Sequence, residues 1–123
     1  MTPFGDRMRK LRSERGITLK EMAEALGVSS AYLSALEHGK RGRPGWHLIQ
    51  RIIAYFNIIW DEADEVVRLA RISHPRITID TSGLSPRATE LANRLADEIG
   101  KLDAVTLEEL LGILNRKRLR AKG

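Results

Sequence analysis

Apolar positions recur at helical spacing along most of the chain. Phe4, Met8 and Leu11 fall at i, i+4 and i+7, one stripe of a first helix. Thr2-Pro3 ahead of them reads as an N-cap followed by a first-turn proline, and Gly16 is a stop. Thr18-Leu-Lys-Glu21 has the spacing of a capping box, so a second helix starts there and carries Met22, Ala23 and Leu26 up to Gly27. Ser29 can cap a third helix with Leu33 and Leu36 inward, ending at Gly39. Beyond the basic loop Lys40–Gly45, a fourth helix over about 45–56 carries Trp46, Ile49, Ile52, Ile53 and Phe56. A fifth begins near Asp61-Glu62, acidic residues that suit the positive end of the helix dipole, and carries Val66, Leu69, Ala70 and Ile72.

The pattern breaks between Ser73 and Leu84. Pro75 is followed by Ile77-Thr-Ile79-Asp-Thr81, an alternation that reads as a short strand or an extended linker. Ser85-Pro86 then caps a sixth helix with the stripe Leu91, Leu95, Ile99, closed by Gly100. Thr106-Leu-Glu-Glu109 is a second capping box, opening a last helix with Leu107, Leu110, Leu111 and Leu114 that frays into the basic run Arg116–Arg120. The expected organisation is an all-α chain: a first domain over 1–72, a linker or short strand over 73–84, and a two-helix C-terminal extension with a basic tail over 85–123.

Charge refines this division. Residues 1–60 hold ten Lys/Arg against five Asp/Glu, residues 61–115 six against eleven, and residues 116–123 five against none. A basic first domain suits a polyanionic partner. With no cysteine, disulfide frameworks, thiolate zinc sites and cysteine nucleophiles are excluded. No apolar run approaches the roughly 18 residues of a membrane span, and the N-terminus lacks a signal-peptide apolar region. A cytoplasmic, nucleoid-associated protein without membrane contact is the expectation.

The second and third helices are joined by a tight turn. Such a turn needs a small residue where the helices cross, supplied by Ala23, and a residue free to take positive φ, supplied by Gly27. With Val28, Leu33 and Leu36 under the turn, the remaining face of the third helix (Ser29, Ser30, Ala31, Ser34, Ala35, His38) is small and polar, a surface left for a partner.

The stretch Ile17–Arg41, with Ala23, Gly27 and the Ser34-x-x-Glu37-x-Gly39 ending, resembles the Cro/C1-type (XRE) helix-turn-helix family. The resemblance spans about residues 4–60. It implies a five-helix lambda-repressor-like domain whose third helix enters the DNA major groove. Carried over position by position, it makes Ser30, Ala31, Tyr32, Ser34 and Ala35 the base-reading residues. Serine hydroxyls donate or accept there, and alanine methyls touch thymine methyls. It assigns phosphate contacts to Thr18, Lys20, Ser29, His38, Lys40, Arg41, Arg43 and Trp46. The glutamine that often grips phosphate in the family is Leu19 here, leaving that task to Lys20. Arg12 and Glu37 correspond to the family's ion pair between the first and third helices.

Nothing points to catalysis, a cofactor or a metal. His38, His47 and His74 are scattered without a completing carboxylate pair, and no nucleophile elbow or glycine-rich phosphate loop is present. The leucine stripes of the last two helices exceed what one small domain needs and suit a homodimer, with half-sites about 34 Å apart on double-stranded DNA. A dimeric repressor acting on an operator is the leading expectation. The alternatives are the antitoxin of a toxin–antitoxin module, its C-terminal helices holding a toxin or other effector protein, and a protein-interaction adaptor built on the same fold.

Overall fold

A computed structural model describes the backbone of residues 1–122 and the side chains of residues 1–118. It contains α1 (Pro3–Arg15), α2 (Leu19–Leu26), α3 (Ser30–Glu37), α4 (Trp46–Phe56), α5 (Trp60–Arg71), α6 (Pro86–Glu98), a 3₁₀ turn (Ile99–Lys101) and α7 (Ala104–Lys122). No strand occurs among the described residues. The chain divides into two compact units, Met1–Ile77 and Thr78 onward.

The first unit closes around one core. Phe4, Met8 and Leu11 of α1, Met22, Ala23 and Leu26 of α2, Leu33 and Leu36 of α3, Leu48, Ile49, Ile52 and Phe56 of α4, and Val66 and Ala70 of α5 are all buried, with Ile58 between α4 and α5. Full burial of each large side chain stabilises by about 1.5–3 kcal/mol against exposure. α1 and α3 cross at Gly5. A Cβ there would stand 2.0 Å from the Glu37 carbonyl oxygen, so this position accepts only glycine.

The caps follow the sequence in four of the five helices for which it names one. Thr2 Oγ1 accepts from Gly5 N, Thr18 and Glu21 form the reciprocal capping box, Ser29 accepts from Tyr32 N, and Ser85 accepts from Ala88 N. The fifth differs: α7 begins at Ala104, and Asp103 rather than Thr106 is its cap, its Oδ1 accepting from Thr106 N at 2.8 Å. Asp103 stands three residues before Thr106 and takes the N-cap role first. Gly100 lies inside the 3₁₀ turn instead of ending α6. α7 runs through the basic tail to Lys122 rather than fraying at Arg116. Gly123 and the side chains of residues 119–122 fall outside the described residues.

Of the two readings of residues 77–81, the strand does not form: these residues carry no regular secondary structure. Two further expectations are corrected. Trp46 is not a core residue: it is 61% exposed in the first turn of α4, beyond the edge of the bundle. Pro44 and Leu48 are buried beside it instead. Ile72 is exposed because it caps α5 and leaves the helical stripe, while Ser73 after it turns inward.

The second unit is built differently. α6 and α7 are amphipathic, yet none of its described residues is buried. Leu91, Ile99, Val105, Leu111, Ile113 and Leu114 are all exposed.

Candidate nucleic-acid interface

The α2–turn–α3 segment is locked from several sides. Gly27 sits at φ +74, a left-handed conformation that glycine adopts without steric cost. Val28 N donates to the Ala23 carbonyl at 3.0 Å. Arg51 of α4 donates to the Leu26 carbonyl at 2.7 Å, satisfying the end of α2. Leu33 and Leu36 point into the core, leaving Ser29, Ser30, Ala31 and His38 exposed and Tyr32, Ser34 and Ala35 half-buried on the outer side of α3. His38 Nδ1 is 2.9 Å from the Ser34 carbonyl oxygen, so that ring folds back along the helix.

Behind this face lies Glu37, the one buried carboxylate among the described residues. Glu37 is 1% exposed. Arg12 Nη2 donates to both of its oxygens, at 2.7 and 3.0 Å. Burial pushes the Glu37 carboxyl above the usual glutamate range, and the Arg12 charge opposes that shift. Breaking such a pair leaves an uncompensated buried charge, at a cost of about 3–5 kcal/mol. The pair therefore fixes α3 against α1. The Glu37 carbonyl also accepts from Thr2 N at 3.0 Å and Thr2 Oγ1 at 3.2 Å, tying the start of the chain to the end of α3.

The basic loop is not loose. The Arg41 guanidinium stands over the Tyr32 ring, 5.8 Å from its centroid, drawing the loop back toward the first turn of α3. Arg43 donates to the Arg71 carbonyl at 3.3 Å, at the end of α5. Lys40 and Trp46 are exposed. The geometry thus gathers Tyr32, Arg41 and the outer face of α3, while Arg43 is engaged with α5. Thr18 and Lys20 lie at the start of α2. There the capping box already occupies two of the N–H groups that would meet an anion: Thr18 N donates to Glu21 Oε1 at 3.2 Å, and Glu21 N to Thr18 Oγ1 at 3.0 Å.

Sequence reasoning missed Thr2, Gly5, Arg51 and Ser73 as supports of this surface. Ser73 is buried, its Oγ accepting from Phe4 N at 2.8 Å and donating to the Leu69 carbonyl. Thr2 reaches Glu37 across 35 positions, Arg51 reaches Leu26 across 25, and Ser73 reaches Phe4 across 69. No local pattern signals such pairings. Among the described residues no group of His, Asp and Glu could hold a metal ion, and no helix is long and apolar enough to cross a membrane.

A family model for the helix-turn-helix domain matches residues 3–66. The HTH-type transcriptional repressor RghR of Bacillus subtilis (strain 168) is 38% identical over 61 residues, covering 50% of this chain and 45% of that protein. The uncharacterized HTH-type transcriptional regulator RghRB of the same strain is 38% identical over 61 residues, 50% of this chain and 44% of that protein. The HTH-type transcriptional regulator SinR of Bacillus licheniformis is 31% identical over 66 residues, 50% of this chain and 60% of that protein. The chain spans about half the length of the first two of these relatives. A solved SinR protein/SinI protein complex aligns over 80% of this chain and 99% of its own, at a TM-score of 0.42 and 22% identity.

Proposed function

The chain belongs to the XRE-type helix-turn-helix family of transcriptional regulators, and on that premise we propose that it is a sequence-specific repressor that binds an operator as a homodimer. The observation that carries this reading is the outer face of α3. It is mostly small and polar, exposed at Ser30 and Ala31 and half-buried at Tyr32, Ser34 and Ala35, and it is held from behind by the Arg12–Glu37 pair. Ser30, Ala31, Tyr32, Ser34 and Ala35 face base edges in the major groove, where hydroxyl hydrogen bonds and methyl contacts read sequence. Lys40 and Arg41 neutralise phosphates beside them, with Thr18, Lys20, Ser29, His38 and Trp46 completing the contact. Arg43 joins this set when it leaves the Arg71 carbonyl. No Arg, Asn or Gln stands on α3 for bidentate base pairing, so DNA shape carries part of the selectivity.

The dimer reading rests on the second unit. Two amphipathic helices with no buried residue among those described expose Leu91, Leu107, Leu111 and Leu114, and a second copy would cover them as in a four-helix bundle. The repressor named among the relatives favours repression over activation.

Selection of binding sites from a randomised DNA duplex library tests the reading. The full chain is expected to enrich a two-fold symmetric motif. Ala35→Asp is expected to abolish that preference by placing a carboxylate against the groove. If Ala35→Asp enriches the same motif, α3 is not the reader.

A further inference from the structure

The segment that leaves α5 does not run freely into solvent. Ser73 anchors it: its buried hydroxyl joins Phe4 N of α1 to the Leu69 carbonyl of α5. The next residues then lie against the loop that follows α3. A Cβ on Gly39 would stand 3.4 Å from the Pro75 ring, and one on Gly42 would stand 3.6 Å from His74 Nε2. Arg43 of the same loop donates to the Arg71 carbonyl. Two stretches distant in sequence, Gly39–Arg43 and Arg71–Arg76, thus form one continuous surface of the first unit.

That surface has a consistent chemistry. Residues 38–60 contain no Asp or Glu, and neither do residues 66–79. Where they meet, Lys40, Arg41, Arg43, Arg71, His74 and Arg76 are all exposed. His74 Nδ1 accepts the Arg76 backbone N–H at 3.1 Å. In the neutral ring this assigns the proton to Nε2, the atom beside Gly42, and makes it a donor. The hydrogen bond also sets the Arg76 backbone next to the ring, so a ring donor and a guanidinium share one short turn. Clustered donors without acceptors suit an anion, and the repeating anion beside a groove-bound helix is the DNA phosphate backbone.

We propose that His74 and Arg76 extend the DNA interface, contacting duplex phosphates alongside Lys40 and Arg41. The inference rests on the reading that α3 meets DNA. It adds a contact from outside the helix-turn-helix segment, supplied by the stretch that leads to the second unit.

The test is the salt dependence of binding of the full chain to a mixed-sequence DNA duplex, followed by fluorescence anisotropy. Each neutralised phosphate contributes a slope of about −0.9 in log K against log salt. The double variant His74→Ala/Arg76→Ala is expected to weaken binding to all sequences alike and to flatten the slope by about 0.9. Arg76→Gln, which leaves the His74–Arg76 backbone bond possible, is expected to flatten it as much and serves if the double variant folds poorly. An unchanged slope in both, with a flatter slope in Arg41→Ala, overturns this inference and leaves the α3 reading standing. If Arg41→Ala is also unchanged, both readings fall. Lys101→Ala controls for net charge; an equal flattening there means no contact at Arg76 and overturns the inference.

Discussion

The two units of this chain use the same raw material, amphipathic helices with clear caps, and reach opposite results. In the first, five helices bury fifteen apolar side chains and close over a carboxylate. In the second, α6 and α7 carry stripes that are equally regular in sequence, and no described residue is buried. Two helices cannot enclose a core between them, since each needs apolar surface on more than one side to exclude water. The first unit thus closes around its own core, and the second leaves apolar side chains such as Leu91, Leu111 and Leu114 exposed. Polar groups follow the same division. Buried hydrogen bonds across 35 and 69 positions tie the first unit together. The ion pairs of α6, Arg87–Glu90 and Arg94–Glu98, are exposed pairs within about one helix turn, where solvent screens the attraction and leaves it weak.

The contrast can be broken most sharply at Gly5. Gly5→Ala forces a methyl group into the Glu37 carbonyl and is expected to cost at least about 3 kcal/mol. Thermal unfolding followed by circular dichroism checks this; a melting temperature within a degree or two of the parent would mean that α1 can move away from α3 at little cost. In the second unit, Leu91→Asp is expected to act on association instead. Leu91 is 58% exposed, so the substitution leaves the first unit's stability within about 0.5 kcal/mol. It removes an apolar side chain from each copy of the proposed dimer, weakening self-association at least tenfold, roughly the 1.4 kcal/mol equivalent of losing part of a buried leucine. Sedimentation velocity distinguishes the outcomes, and an unchanged dimer would place the interface elsewhere.

An effect on stability smaller than that at Gly5 is expected at Ser73. Ser73→Ala leaves the buried Phe4 N–H without its acceptor, a loss of about 1–3 kcal/mol by denaturant titration. No loss would show that water reaches that amide. The smallest is a pH dependence. Because burial holds the Glu37 carboxyl above the usual glutamate value of 4.5, the folded chain takes up this proton before the unfolded chain as pH falls. The stability contribution of this protonation is fully present below the unfolded value and is lost as pH rises through the folded one. Stability measured relative to Glu37→Gln should therefore rise as pH falls through the window just above 4.5. Parallel pH profiles for the two proteins would contradict the raised value.

Helix positions were legible in the sequence because caps and stops are local. Thr2-Pro3, the Thr18–Glu21 box and Gly27 each act within one turn of the chain, and their backbone geometry follows the residues alone. The exposed face of α3 was legible for the same reason, as the side left over once Leu33 and Leu36 turn inward. Trp46 and Ile72 misled because an apolar residue at a helix end keeps the right spacing while lying past the edge of the core. The competing caps Asp103 and Thr106 could be separated only by the backbone that forms around them.

What the sequence by itself determined is therefore the set of helices, the ends of most of them and the small, polar outer face of α3, all governed by contacts within a few residues. What only the tertiary structure decided is how that face is held and what borders it. The closeness of Gly5 to Glu37, the reach of Ser73 to Phe4, and the meeting of His74 with Gly42 each join residues with no shared local pattern. Such contacts depend on the packing of whole helices, and packing responds to shape and volume in three dimensions rather than to order along the chain.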